Sequence, residues 1–196
     1  MGFNCTFAVV VGDVSNAQLA RLGLHPTGAE VSLDETSRGS AGRGVGVARL
    51  GDFTVLTDGS LSLMPLLEDP SLVTGTWFIT VSSSVTDTYE YRVIRYGSVE
   101  RRIGINEDFE LTESGSPVGD ESGFTRPPAD NPYDLDGEEL LWILPQTSGL
   151  AEAHPGVELL DLDGSEYDFL DSEPEFVTAP GGAKVAADRP WWKFWG

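Results

Sequence analysis

The chain has 196 residues, of which 40% are hydrophobic and 10% aromatic, and its formal net charge at pH 7 is −20. This length and apolar content suffice for a hydrophobic core, which excludes wholesale disorder. The charge argues against direct binding to nucleic acid or to an anionic membrane, because both need Lys and Arg side chains that neutralise negative charge. A basic protein is the kind of partner that such a charge favours.

The negative charge is concentrated in the second part of the chain. Residues 1–110 contain 14 acidic and 8 basic side chains, whereas residues 111–196 contain 18 acidic and 4 basic side chains. The net charges of the two parts are therefore −6 and −14. We expect a surface that recognises charge to lie in the second part, although solubility alone also accounts for an acidic composition.

Cys5 is the only cysteine, so the chain has no means of forming an internal disulfide or a thiolate metal cluster. This cysteine usage favours a reducing compartment. The first residues lack the basic region and the small-residue cleavage site of a secretory signal. No apolar run approaches the roughly 18 residues that span a bilayer. The expected location is the cytoplasm.

A strand and a short helix are the first predicted elements. The apolar run over residues 6–11 is typical of a central strand. Ser15 and Gln18 have the spacing of a capping box, which predicts a helix over residues 15–22, and Gly23 marks its end.

Residues 34–46 are polar and glycine-rich and are predicted to form a loop. Its glycines could belong to a phosphate cradle, which requires a strand before the loop and a helix N-terminus after it. Residues 45–56 instead predict a β-hairpin with its turn at Gly51 and Asp52. A loop beside the sheet is therefore the favoured interpretation.

Residues 76–111 carry the strongest signal of fold class. Aromatic and β-branched side chains such as Trp77, Ile79 and Val81 alternate with other residues, and clusters of Gly, Ser and Asp interrupt the alternation. This pattern predicts antiparallel strands with one face buried. The predicted fold is α+β, a mainly antiparallel sheet over residues 5–111 with a few short helices packed on it.

After Leu111 the composition shifts to Gly, Pro, Ser and acidic residues. Such a composition is typical of a long surface connection or of an excursion over the core. Two copies of the sequence Asp-Leu-Asp-Gly follow, at residues 134–137 and 161–164.

The second aspartate of each copy, Asp136 or Asp163, is placed to cap a helix. We therefore predict helices over residues 137–144 and 164–170, the first of them ended by Pro145. The side chains expected to face the core from the first helix are Leu140, Trp142 and Ile143.

Calcium binding is the functional alternative for the repeat. An EF-hand loop needs an oxygen ligand at its first position and a bidentate Glu at its twelfth, and both copies lack these two ligands. Helix capping is therefore favoured, and no cofactor is expected. The candidate metal ligands of the alternative are Asp134, Asp136, Asp161 and Asp163.

Residues 181–196 form a tail that differs in composition from the body, and residues 1–180 are predicted to be a single α+β domain. The tail either covers its own sheet, inserts into a protein partner or lies at a membrane interface. The acidic body argues against the membrane. The predicted partner-binding residues of the tail are Trp191, Trp192, Phe194, Trp195, Arg189 and Lys193.

Sequence motifs of catalysis are absent: the chain has no GxSxG elbow, Walker loop, HExxH or CxxC. His25 and His154 each precede a proline in a predicted loop, without a second ligand at metal-binding spacing. These features favour a non-catalytic acidic protein that binds a protein partner through its acidic C-terminal half, its tail or both. The alternative is a hydrolase that uses paired carboxylates or a divalent metal.

In layout the chain resembles certain uncharacterised small actinobacterial proteins. The segments that carry the resemblance are FAVVVGDVSNAQLARLG, the meander SSSVTDTYEYRVIRYGSVERRIGINEDFELTESGSPVGDE and the helix YDLDGEELLWIL. The meander is also similar to those of bacterial immunity-type proteins, in which small acidic domains block a toxin partner. The resemblance to the actinobacterial proteins implies a cytoplasmic α+β domain and offers no catalytic residues that could be transferred to this chain. The similarity to immunity-type proteins implies an inhibitor-like role.

Overall fold

The computed structural model describes residues 4–38, 44–64, 69–127 and 136–169, together with the backbone of residues 176–178 and 184–186. A nine-stranded antiparallel sheet dominates the described part, and the few helices are short, which confirms the α+β class. The strands of the sheet are β1 (Asn4–Val11), β2 (Leu24–Ser32), β3 (Val45–Leu50), β4 (Phe53–Asp58), β5 (Thr76–Ser83), β6 (Thr88–Arg95), β7 (Ser98–Ile105), β8 (Leu111–Ser114) and β9 (Asp163–Phe169).

The strand order across the sheet is β2-β9-β3-β4-β1-β5-β6-β7-β8. The apolar strand β1 lies at the centre, between β4 and β5, as predicted. The hairpin β3–β4 and the meander β5–β7 are also confirmed.

Outside the sheet, the described residues form five short helices. Ser15 and Gln18 form both hydrogen bonds of the predicted capping box, so the first helix begins where the sequence places it. The helices are α1 (Asn16–Arg21), α2 (Leu33–Ser37), α3 (Glu139–Trp142), α4 (Leu144–Thr147) and α5 (Leu150–Ala153), and two 3₁₀ turns span Pro70–Leu72 and Leu159–Asp161.

Both faces of the sheet are buried, whereas the sequence pattern predicted one. On β5, Phe78 belongs to one hydrophobic core, while Trp77 and Ile79 belong to the core on the opposite face. The first core also contains Leu140 and Leu144 from α3 and α4. Thr or Ser occupies some of the buried positions on these strands. A strand with both faces buried then shows the same alternation of apolar and polar residues as a strand with one buried face, which explains the error.

Strand β9 replaces the helix predicted over residues 164–170. It fills the space between β2 and β3 and pairs with both of them, which places Tyr167 opposite Val45 and opposite Pro26. Pairing with strands more than 100 residues away in the sequence decides the conformation here, and the local capping signal at Asp163 is overridden.

The other helix predictions need smaller corrections. The predicted loop over residues 34–46 begins with α2, which Ser32 and Glu35 cap. The helix predicted over residues 137–144 ends at Trp142, and Pro145 lies in the first turn of the next helix. The side chain of Trp142 is 48% exposed instead of facing the core.

Both edges of the sheet have features that protect against further pairing. Strand β2 contains Pro26, and its ladder with β9 is interrupted between Pro26 and Glu30, where Gly28 has a φ of +85°. Strand β8 at the other edge is four residues long. Proline, bulges and short strands are the usual means of blunting sheet edges.

A buried ion-pair cluster fastens the connection after β8 to the sheet. Arg101 on β7 is 2% exposed and forms two hydrogen bonds with Glu121, of 2.9 and 2.8 Å. It also pairs with Glu113, and Arg126 binds both carboxylates. Phe124 of the connection belongs to the first core and Val118 packs against it, so the connection packs on the core at these described positions, in agreement with the second of the two predicted alternatives.

Near the C-terminus, the backbone of Phe176–Thr178 pairs antiparallel with that of Lys184–Ala186. The predicted boundary between domain and tail, after residue 180, falls between these two strands and stays a prediction. The six predicted partner-binding residues of the tail lie outside the described residues: Trp191, Trp192, Phe194, Trp195, Arg189 and Lys193.

Candidate functional site

The candidate metal ligands do not converge on one site in the described part of the chain. Asp136, Asp161 and Asp163 are exposed, and Asp134 lies outside the described residues. Asp136 accepts a hydrogen bond from the backbone N–H of Glu138 at 2.9 Å, as a capping residue would. Within the described ranges no three His, Cys, Asp or Glu side chains are grouped so as to hold a metal ion.

The two glycines of the repeat share a packing role although the copies fold differently. A Cβ at Gly137 would overlap the ring of Tyr89, and a Cβ at Gly164 would lie 2.5 Å from the backbone oxygen of Val47. Both positions therefore require glycine for close approach, one beneath an aromatic ring and one beside a neighbouring strand.

The histidines and the cysteine are part of the packing. His25 lies on β2, where a loop was predicted, and His154 follows α5. The rings of His154 and Phe53 meet edge to face, with centroids 6.1 Å apart. Cys5 is fully buried, and burial followed by the nearby carboxylates of Asp58 and Glu138 raises the pKa of its thiol to about 12. A thiol in this environment is a poor nucleophile.

Most arginines of the described part are engaged in ion pairs. Of its eight arginine side chains, seven pair with a carboxylate and Arg21 does not. Six carboxylates take part in these pairs, and the remaining carboxylates of the described ranges have no cation within ion-pair distance. Apart from the buried Asp58, the unpaired carboxylates of the described ranges lie at exposed or half-buried positions. The paired arginines are Arg38, Arg49, Arg92, Arg95, Arg101, Arg102 and Arg126.

The loop between β7 and β8 carries three of the carboxylates that form no ion pair within the described residues, and hydrogen bonds of Asn106 fix its conformation. The side-chain oxygen of Asn106 accepts hydrogen bonds from the backbone N–H groups of Asp108 and Glu110, at 3.1 and 2.8 Å. Its amide nitrogen donates to the Glu110 carboxylate at 3.0 Å. Glu107, Asp108 and Glu110 are exposed, and none of them forms an ion pair within the described residues.

Three further carboxylates lie close to this loop, around Tyr89. Tyr89 pairs with Ile105, the last residue before the loop. Burial, followed by the charges of Asp87, Glu138 and Asp136, raises the pKa of the Tyr89 phenol. We call this group of carboxylates the acidic end of the sheet; it consists of Asp87, Glu107, Asp108, Glu110, Asp136 and Glu138.

An open polar cleft of about 680 Å³ lies at the opposite edge of the sheet, next to β2. Arg49 forms part of its lining and donates to Asp13 at 2.8 Å and to the backbone oxygen of Val14 at 3.0 Å. Asn16 accepts a hydrogen bond of 2.8 Å from the Tyr167 hydroxyl. Burial opposes the ionisation of Arg49, but Tyr167 and Asp13 outweigh it and raise its pKa.

Sequence reasoning missed both the acidic loop and the cleft. A signal for the loop exists, because Asn followed by acidic residues after a strand is typical of a turn in which the Asn side chain binds backbone two residues on. The cleft has no local signal, since residues from four separate segments line it: 13–16, 26–30, 49 and 165–167.

Comparison with protein families, with curated proteins and with solved structures gave no match to this chain. The resemblance to small actinobacterial and immunity-type proteins therefore stays a prediction. In the part of the chain that the structure describes, none of the helices has the length and apolarity needed to cross a membrane.

Proposed function

We propose that this protein is a non-catalytic acidic interaction protein that binds a basic protein partner through the acidic end of its sheet. The observation that carries the proposal is the loop of residues 106–110. Hydrogen bonds of Asn106 order this loop, and its carboxylates are exposed and form no ion pair with the residues that the structure describes. An inhibitor-like role, as in immunity-type proteins, is the form of this function that the meander resemblance favours.

Preorganisation is the reason why this loop suits binding. A surface that is already ordered loses little conformational entropy when a partner docks, so more of the interaction energy appears as affinity. The uncompensated charge around the loop also attracts a basic partner from a distance and raises the rate of association. The internal pairing of seven arginines leaves this field largely unopposed within the described part.

The hydrolase alternative has no comparable support. Within the described residues, Asp136, Asp161, Asp163 and His154 supply no group of three side chains that could hold a metal ion, and none of the four lines the cleft beside β2. The buried carboxylate of Glu121 is bound by Arg101 and by Arg126, which occupies the oxygens that an acid–base role would need. A cytoplasmic location is part of the proposal, and the single buried, free cysteine supports it.

The test is a capture experiment with two charge-matched variants. The full-length protein and each variant are immobilised and exposed to native lysate, and retained basic proteins are quantified by mass spectrometry at low and at high salt. The acidic-end variant is Glu107→Gln, Asp108→Asn and Glu110→Gln, and the control is Glu152→Gln, Glu158→Gln and Asp161→Asn.

Both variants raise the net charge by three, so a general effect of charge is the same in each. We expect the acidic-end variant to lose a basic partner that the control retains, and capture to fall as salt screens the contact. Equal loss of the captured partner in both variants would show that the binding is unspecific charge attraction and would contradict the proposal. Retention by the acidic-end variant would also contradict it. The tail residues, from Arg189 to Trp195, are predicted second contacts and are intact in both variants.

A further inference from the structure

The cleft beside β2 is open and polar, and its size suits a small ligand. Its volume of about 680 Å³ lies within the range of pockets that hold small molecules. Hydrogen bonds from Arg49 to Asp13 and Val14 join β3 to the loop before α1, and Tyr167 on β9 binds Asn16 at the start of α1. These bonds connect the segments that form two sides of the cleft.

The third side of the cleft is the irregular part of β2. The ladder between β2 and β9 is interrupted from Pro26 to Glu30, so the backbone of residues 27–29 lies outside the regular pairing. Gly28 and Ala29 in this segment line the cleft and are exposed. The bulge therefore leaves room and backbone polar groups where a regular edge strand would close the space.

The charges that line the cleft leave one carboxylate without a cation. Asp13 neutralises Arg49, and Glu30 forms no ion pair with any described residue. Because Arg49 contributes one positive charge and the two carboxylates contribute two negative charges, the net charge of the cleft is −1. An anionic ligand would be repelled both by Glu30 and by the strongly negative protein.

The hydrogen-bonding groups of the cleft that have no partner in the described part of the protein indicate which uncharged groups a ligand should carry. The side-chain oxygen of Asn16 already accepts from Tyr167 and from Arg49, so its amide nitrogen is the group left to donate. The hydroxyl of Ser165 and the carboxylate of Glu30 form no hydrogen bond within the described residues and line the same cleft. Acceptors therefore outnumber donors, with both kinds present.

We propose that this cleft binds a small polar ligand that carries one positive charge on a hydroxylated body. Glu30 binds the cationic group of the ligand, because a cationic group donates hydrogen bonds and a carboxylate accepts them. The hydroxyl groups of the ligand form hydrogen bonds with Asn16 and Ser165. This site is independent of the proposed protein partner, because it lies at the β2 edge of the sheet and the acidic end lies beside β7 and β8.

Three sugars of similar size and different charge test the proposal: glucosamine, which is cationic, glucose, which is neutral, and glucuronic acid, which is anionic. Each is titrated into the ¹⁵N-labelled full chain up to about 50 mM, a concentration that saturates even a millimolar site. We expect saturable shifts of the amides of residues 13–16 and 26–30 with glucosamine, weaker shifts with glucose and none with glucuronic acid. The Glu30→Gln variant should bind glucosamine about tenfold more weakly, as expected for the loss of one charge-assisted hydrogen bond.

Two control variants separate the cleft from general effects. Ala29→Trp should fill the cleft and abolish the shifts, whereas Ala153→Trp, at an exposed position on α5, should leave them unchanged. If the amide shifts at residues 107–110 depend on ligand charge in the same way as those of the cleft, the interaction is unspecific attraction and the proposal is overturned. It is also overturned if glucosamine produces no saturable shift, or if Glu30→Gln binds glucosamine as well as the natural chain.

Discussion

Replacing Glu121 by Gln should destabilise the protein more than any other single exchange of a carboxylate for its amide in the Arg101 cluster. One carboxylate oxygen of Glu121 accepts from Arg101 Nε at 2.9 Å and from the Val118 N–H at 3.2 Å. The other accepts from Arg101 at 2.8 Å and from Arg126 at 3.2 Å. Gln keeps a single acceptor and turns an NH₂ group towards guanidinium donors.

The size of the effect follows from burial. The side chains of Arg101 and Glu121 are 2% and 5% exposed, and removing one partner of a buried pair costs about 3–5 kcal/mol. Glu113 stays in contact with Arg101 and offsets part of the loss. We therefore expect a decrease of about 3 kcal/mol in the free energy of unfolding, or about 6–12 °C in Tm for a chain of this size.

Chemical and thermal unfolding followed by circular dichroism measures this change at pH 7. The matched control is Glu113→Gln, whose carboxylate is 28% exposed and should cost about 1 kcal/mol. A second check replaces both Arg101 and Glu121 by Met, which removes the unpaired charge and should recover much of the loss. A loss below about 1 kcal/mol for Glu121→Gln would refute the inference that this buried pair fastens the connection.

The same variant has a defined pH dependence. Burial raises the pKa of Glu121, but Arg101 outweighs it, so that the pKa in the folded protein is lower than usual. A lowered pKa stabilises the fold above the unfolded-state value of about 4.3, and this stabilisation is lost as pH falls through the folded-state value. The difference in stability between the natural chain and Glu121→Gln should therefore shrink below about pH 4.

Three further predictions concern the acidic end and the tail. Gly137→Ala should destabilise the protein by about 2 kcal/mol in chemical unfolding, because the added methyl meets the Tyr89 ring; the loss should shrink in a Tyr89→Ala background, and a loss of the same size there would contradict the steric explanation. Glu138→Gln should lower the pKa of Tyr89 towards its ordinary value without reaching it, since burial is the larger cause, and an unchanged phenol titration in NMR would contradict the proximity of this carboxylate. Replacing Trp191 and Trp192 by Ala should weaken partner capture equally at low and high salt, and undiminished capture would exclude the tail as an anchor.

Local patterns predicted the elements whose conformation is decided locally. The alternation over residues 76–111 predicted β5, β6 and β7, and the spacing of Ser15 and Gln18 predicted α1. Strand β9 was predicted as a helix because its partners, β2 and β3, are distant in the sequence and its capping signal is near. A local pattern of about ten residues carries no information about hydrogen-bonded pairing with strands that are distant in the sequence.

The candidate site follows the same division. The acidity of the chain was visible in its composition. The sequence predicted a charge-recognising surface in residues 111–196, whereas four of the six carboxylates of the proposed binding surface, the acidic end, lie in residues 1–110. Pairing explains the difference: Arg101 reaches Glu121 across 20 residues and Arg49 reaches Asp13 across 36. Which acids remain exposed after such pairing is a property of the fold and not of the composition.

The distribution of charge has opposite consequences for folding and for binding. Unpaired surface carboxylates repel one another, so screening by salt should raise the free energy of unfolding, while the buried Arg101–Glu121 pair is screened little. The proposed contact between the acidic end and a basic partner would depend on the same carboxylates, so salt should weaken it. A chain whose acids served solubility alone would show the first effect without the second. Measured on the natural chain and on the acidic-end variant, the two salt dependences therefore separate a charged surface that recognises a partner from one that only keeps the protein dissolved.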